Sequence, residues 1–152
     1  VRQTLRMNPG RVVVGEIRGH EVTPMLLAMS QGNDGSMSTV HADSTASVFS
    51  RIAMYTAMSP EGFDTATTAL MVANAIHMVV HLSRLPTGER VVTSVREVVG
   101  ADGSQVVSNE IYAPDETRRA RPAAMITDRV MRRLEAAGFD PSWHQPGRGG
   151  WS

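Results

Sequence analysis

Two side chains in this sequence stand where short apolar runs end, and both belong to types that handle protons or charge. Glu16 follows Val12-Val13-Val14-Gly15, and His41 follows the stretch from Ser36 to Val40. A carboxylate so placed can polarise a water molecule or hold a metal's water shell, and an imidazole can sense a neighbouring anion. Each has a plain structural reading as well. Glu16 reads as a loop-edge acid paired with Arg18, and His41 as a hydrogen-bonded strand-end residue. Arg18 also pairs in sequence with Glu21 as a local ion pair. Ser36, Ser38 and Thr39 read as sheet residues. His77 and His81 fall at alternate positions of a strand with no third ligand in view, which favours packing over metal binding. The arginines from Arg118 to Arg133 have no aromatics between them and read as a solvated face rather than a nucleic-acid patch.

The elements that must position Glu16 and His41 follow from periodicity. Residues 2–8 read as the end of a helix stopped by Pro9-Gly10. The β-branched run Val12-Val13-Val14 reads as a buried, parallel strand. Val22, Met25, Leu26 and Met29 form one helix face, closed by Gly32 to Gly35. A short strand from Ser36 to His41 follows, then a helix bearing Val48, Phe49, Ile52 and Tyr55, with Asp43 or Ser44 as its cap. A third helix spans about Asp64 to Ala75. Strands at Met78–Leu82, Arg90–Val99 and Gln105–Tyr112 form an antiparallel meander with a hairpin turn at Ala101-Asp102-Gly103. Pro114 to Pro122 reads as a linker, Ile126, Val130 and Leu134 as the stripe of a last helix, and the Gly/Pro/Arg-rich residues after Pro141 as a mobile tail. Alternating strands and helices followed by a meander predict an α/β fold with a mostly parallel sheet. Such sheets carry their chemistry at the C-terminal ends of strands, where Glu16 and His41 both fall.

Composition removes several classes. The 152 residues are 41% apolar and 20% charged with zero formal net charge, as in an ordinary globular domain with no general attraction for nucleic acid. There is no cysteine, so disulfides and thiolate metal sites are excluded and a reducing compartment fits. No apolar run reaches membrane-span length. All fifteen basic residues are arginine. A phosphate-gripping G-x-x-x-x-G-K-[ST] loop needs a lysine, so this chain contains none. Val1 opens inside a helical pattern and is not Met, which reads as a cut N-terminus.

The paired segments Arg11-Val12-Val13-Val14-Gly15-Glu16-Ile17-Arg18-Gly19 and Gly32-Asn33-Asp34-Gly35-Ser36-Met37-Ser38-Thr39-Val40-His41-Ala42 are far more specific than either residue alone. They resemble the Walker B motif and the His box of the secretion ATPase superfamily of type II and type IV secretion and type IV pili. The form of the second segment looks closest to the CpaF/TadA-type branch that drives Flp pilus assembly. The resemblance covers residues 2 to about 113 and implies the C-terminal half of a RecA-like P-loop NTPase domain over 1–113, with a following antiparallel meander, then a linker and C-terminal helix over 114–140 and a flexible tail over 141–152. It implies ATP and Mg²⁺ as cofactors, Glu16 and His41 as catalytic residues, Glu16 on the Mg²⁺ through water, and Gly15, Arg18 and Thr39 near the nucleotide. It also implies a homo-hexamer at the inner face of the bacterial membrane, cytoplasmic, with an inner-membrane platform protein as partner, while the zero net charge argues separately against nucleic acid as a ligand. Two positions depart from the pattern. Asn33 stands where the family often has His, and His77 where it often has Asp.

Two other readings stay open. One is a non-catalytic module that binds and regulates the ring of an intact relative. The other is a conjugation-type ATPase that moves DNA or effector proteins.

Overall fold

The computed structural model describes residues 9–33 and 35–146. The helix expected over 2–8 lies outside the described residues. The chain divides into two units, one running to His77 and including Gly100–Val107, the other comprising Met78–Val99 and the chain from Ser108 onward.

In the first unit the order is β1 (Val13–Ile17), α1 (Val22–Ser30), β2 (Met37–Val40), α2 (Ser47–Ala57) and α3 (Thr65–Ala75). β1 and β2 pair in parallel across the α1 crossover, as the alternation of periods predicts, but among the described residues this pair is a sheet of two strands and the larger sheet is antiparallel, so the expected mostly parallel sheet is not seen. Val22, Met25 and Leu26 of the α1 stripe are buried, together with Val12, Ile17, Ile52 and Val72. Pro24 lies in the first turn of α1, where a missing N–H costs nothing. α1 contacts α2 and α3, and α2 contacts α3. Thr56 and Thr68 join the last two helices through a buried hydroxyl pair at 2.9 Å. α3 is capped by Asp64, whose carboxylate accepts from Thr67 N at 2.7 Å. The cap expected for α2 differs. The helix starts two or three residues later, with Ala46 at the cap position and no side-chain cap. Ser44 and Ser47 bond each other instead, which spends their hydroxyls in the turn before the helix.

The meander is a four-stranded antiparallel sheet in the order β3 (Met78–Arg84), β4 (Arg90–Asp102), β5 (Gln105–Pro114) and β6 (Ala120–Pro122). The last strand falls where a linker is expected. Asp115 makes the reversal possible, because its carboxylate accepts from Thr117 N and Arg119 N and folds Pro114 to Ala120 into a tight turn. Arg118 takes φ 63 at that turn. In the second unit α4 (Asp128–Ala136) lays Val130 against Ile111 and Ile126, with Met78, Val95, Tyr112, Met131 and Leu134 around them. Of the tail expected over 141–152, Pro141–Trp143 form a 3-10 turn, and residues 147–152 lie outside the described residues. His144 is buried, its Nε2 lies 2.9 Å from Ala124 O, and its ring tilts over Tyr112.

Candidate functional site

The local geometry begins with the start of the two parallel strands. Ser36 accepts from Val12 N at 2.9 Å and donates to Asn33 O at 2.7 Å, and Met37 N reaches Val12 O at 3.0 Å. This fixes the register in which Val13 faces Met37 and Val14 faces Ser38. Gly35 makes the entry possible. Its φ is 80°, and a β-carbon there would stand 3.0 Å from Arg11 Nε.

Farther along, the register slips. Val14 pairs with Ser38 but Ile17 with Val40, so Gly15 and Glu16 together face Thr39 alone. This is a β-bulge, which adds one residue to a strand and reverses its in–out alternation. The reversal returns Ile17 to the core and leaves Glu16 half-buried on the strand's end. Thr39 Oγ1 donates to Gly15 O at 2.5 Å across the bulge.

Three groups then converge. Glu16 Oε2 lies 2.6 Å from Arg18 Nη2, and Glu16 Oε1 lies 3.0 Å from His41 Nε2. The second contact is an ion-pair distance without hydrogen-bond alignment, so Oε1 is a buried oxygen with no hydrogen bond among the described residues. Glu16 is the sheltered member, with 25% of its side chain exposed, whereas Arg18 and His41 are 78% and 92% exposed. The hydrogen bond from Arg18 lowers the Glu16 pKa, burial opposes it, and the charges of Arg18 and His41 reinforce the lowering. The same bond raises that of Arg18.

The structure thus brings together Gly15, Glu16, Arg18, Thr39 and His41. The simple Glu16–Arg18 pair is present. The expected Arg18–Glu21 ion pair is not formed in that way. Glu21 Oε1 accepts from the backbone N–H of Arg18, in a short bond, and of Gly19 at 3.0 Å. Sequence reading missed this brace, because the Arg18–Glu21 spacing suggests an ion pair and gives no sign of the backbone path that brings both amides to Oε1. Asn33 and His77, the two departures from the resembled pattern, line one small cavity of about 20 Å³ with Met29, Gly35, Ser36 and Ala75. Asn33 Nδ2 caps Ala28 O at 2.7 Å. No group of three or more His, Asp or Glu side chains suited to a metal occurs among the described residues. No described helix is long and apolar enough to cross a membrane.

Comparison with known proteins bears on this arrangement. The family model described as "Type II/IV secretion system protein" matches residues 1–132. A "Putative conjugal transfer protein" of Mycobacterium tuberculosis is 37% identical over 103 residues, 68% of this chain and 29% of that protein. The conjugal transfer protein TrbB of Rhizobium radiobacter is 29% identical over 103 residues, again 68% of this chain and 29% of its own length. Among solved structures, the VirB11 ATPase of the Brucella suis type IV secretion system, in complex with sulphate, superposes with a TM-score of 0.57 at 26% identity, over 62% of this chain and 30% of that one. The chain therefore spans about three tenths of the length of these relatives. They are conjugal transfer and VirB11 proteins, and they lend no particular support to the pilus branch. With the family model matched over most of its length, the chain belongs to the type II/IV secretion system protein family.

Proposed function

We propose that this chain is the water-activating and phosphate-sensing part of an ATP-hydrolysing motor for conjugal or type IV secretion-type transfer. The observation that carries the reading is the meeting of Glu16, Arg18 and His41 at the C-terminal ends of two adjacent parallel strands. Phosphoryl transfer asks a protein for a positioned water and neutralised charge rather than a covalent partner. Glu16 is the group that accepts a proton from, or orients, the attacking water. Its Oε1 makes no hydrogen bond and is covered by the exposed His41 ring 3.0 Å away, so movement of that side chain toward a phosphate would open it to that water. His41, exposed beside it, is the group that meets the terminal phosphate. Arg18 holds Oε2 and adds positive charge at the place where anionic oxygens arrive. Gly15 and Thr39 shape the bulge, Thr39 through its bond to the Gly15 carbonyl.

Mg²⁺ fits this site only through water. One carboxylate with an oxygen that makes no hydrogen bond suits an outer-shell contact, and Mg²⁺ commonly keeps several of its waters. When bound it would neutralise phosphate charge. The lysine that grips ATP is absent from these residues, so the proposal assigns nucleotide binding to polypeptide outside them. Homo-hexamer assembly and docking on an inner-membrane platform protein belong to the same proposal.

The relatives, whose names are those of conjugal transfer and VirB11 proteins, favour the transfer branch. The Flp pilus reading is second, motivated by the Asp34-Gly35-Ser36 form of the second motif. In cells, Glu16→Gln in the complete protein separates them. Loss of plasmid or effector transfer with surface pili intact supports transfer, and loss of pili with transfer intact supports the pilus branch. The hydrolytic role itself predicts that Glu16→Gln lowers steady-state phosphate release at least about 100-fold. Release at the unaltered rate would overturn it.

A further inference from the structure

Among the described residues Glu21 makes no hydrogen bond or ion pair to Glu16 or His41, yet it holds the segment between β1 and α1. Its Oε1 takes both the Arg18 and the Gly19 N–H, and its own carbonyl accepts from Met25 N at 3.2 Å as α1 begins. Val22 N returns to Gly19 O at 3.2 Å, which closes the loop. The backbone amide clamped by Glu21 belongs to the residue whose guanidinium grips Glu16 Oε2 at 2.6 Å. Arg18 is 78% exposed, so no packing holds its long side chain in place. Its direction is set chiefly where it leaves the backbone.

We propose that Glu21 is a positioning residue, which aims Arg18 at Glu16 by bonding the Arg18 and Gly19 amides. The inference rests on the hydrolytic reading above and extends it by one residue. The role needs an acceptor at the end of a two-carbon arm and does not need a charge. Gln keeps that reach and that acceptor without the charge. Asp keeps the charge but is one methylene too short to span both amides. An ion-pair role for Glu21 makes the opposite demand. The lowered pKa of Glu21, caused first by the bond from the Arg18 amide, accords with a carboxylate spent on backbone donors.

The test compares Glu21→Gln, Glu21→Asp and Glu21→Ala. In proton–nitrogen correlation spectra of this chain, the Arg18 and Gly19 amides should keep their low-field positions in E21Q and lose them in E21D and E21A. In ATP hydrolysis by the complete protein, E21Q should stay within about twofold of the parent, while E21D and E21A lose about tenfold or more in kcat with KM nearly unchanged. Full activity of E21D, or an E21Q as impaired as E21A, overturns the proposal. So do amide positions that ignore E21D. E21D and E21Q decide the matter even if E21A does not fold. Glu16→Gln is the control that keeps two failures apart. If it too leaves hydrolysis unchanged, the hydrolytic reading has failed, and the amide positions still decide whether Glu21 braces the loop.

Discussion

Glu16 owes its position to one extra residue in β1, and the hydroxyl of Thr39 is the bond that ties that bulge to β2. Thr39→Val keeps the β-branched shape that suits a strand and deletes the donor, so it tests the hydroxyl alone. The expected cost is about 1 kcal/mol, read from urea melts, with Thr39→Ser close to the parent. A loss in Thr39→Ser with Thr39→Val at the parental midpoint would assign the effect to the methyl group instead. The carboxylates give a pH prediction with a definite sign. Glu16, Glu21, Asp64 and Asp115 all have pKa values lowered on folding, by Arg18, by backbone amides, by the Thr67 amide and by Thr117 respectively. Each therefore contributes stability that is full above its ordinary value, 4.5 for Glu and 3.8 for Asp, and is lost as pH falls through and below it. Melting temperature should hold between about pH 6 and 7 and fall steadily below about pH 4.5. A curve flat to pH 3 would contradict these contacts. At this scale the sequence was legible for residue type. Glu16 and His41 could be named because each ends a strand. The Glu21 brace could not, because an acid three residues after an arginine suggests an ion pair, and only the backbone path shows that it bonds amides instead.

The elements were read well where one period dominates. The α1 stripe, α3 and the β4–β5 hairpin follow from apolar spacing and the turn at Ala101-Asp102-Gly103. What escaped was structure made by polar side chains bonding their own backbone. Asp115 turns an apparent linker into a hairpin, and the Ser44–Ser47 exchange delays α2. A longer-range polar contact fixes the C-terminal helix. Glu97 is fully buried, and its carboxylate accepts from Thr127 N at 2.9 Å and, in a short bond, from Thr127 Oγ1, at the first turn of α4. An acid at a helix N-terminus satisfies free amides and meets the positive end of the helix dipole. Thr127→Ala removes one of its two donors and should destabilise the fold by about 2 kcal/mol. Denaturant melts check this. An unaffected midpoint would mean that the helix is held by Val130 and its apolar neighbours alone.

For the whole molecule, apolar side chains remain on the surface of both units. Val13 and Met37 face each other across β1 and β2 at 66% and 59% exposure, and Leu82 and Val92 form an exposed pair on β3 and β4. An apolar strand surface of this kind favours self-association. The isolated chain should sediment heavier as concentration rises, and Leu82→Glu should reduce that tendency. A monomer at all concentrations would contradict it. Whether Glu16 acts on the attacking water is read from single-turnover hydrolysis in the complete protein. ATP is bound first, and cleavage is then followed in the parent and in Glu16→Gln. The account predicts equal ATP affinity and cleavage slower by about 100-fold or more, because Glu16 acts on the water and not on the nucleotide. Cleavage at the parental rate would contradict it and would leave Glu16 as no more than the ion-pair partner of Arg18.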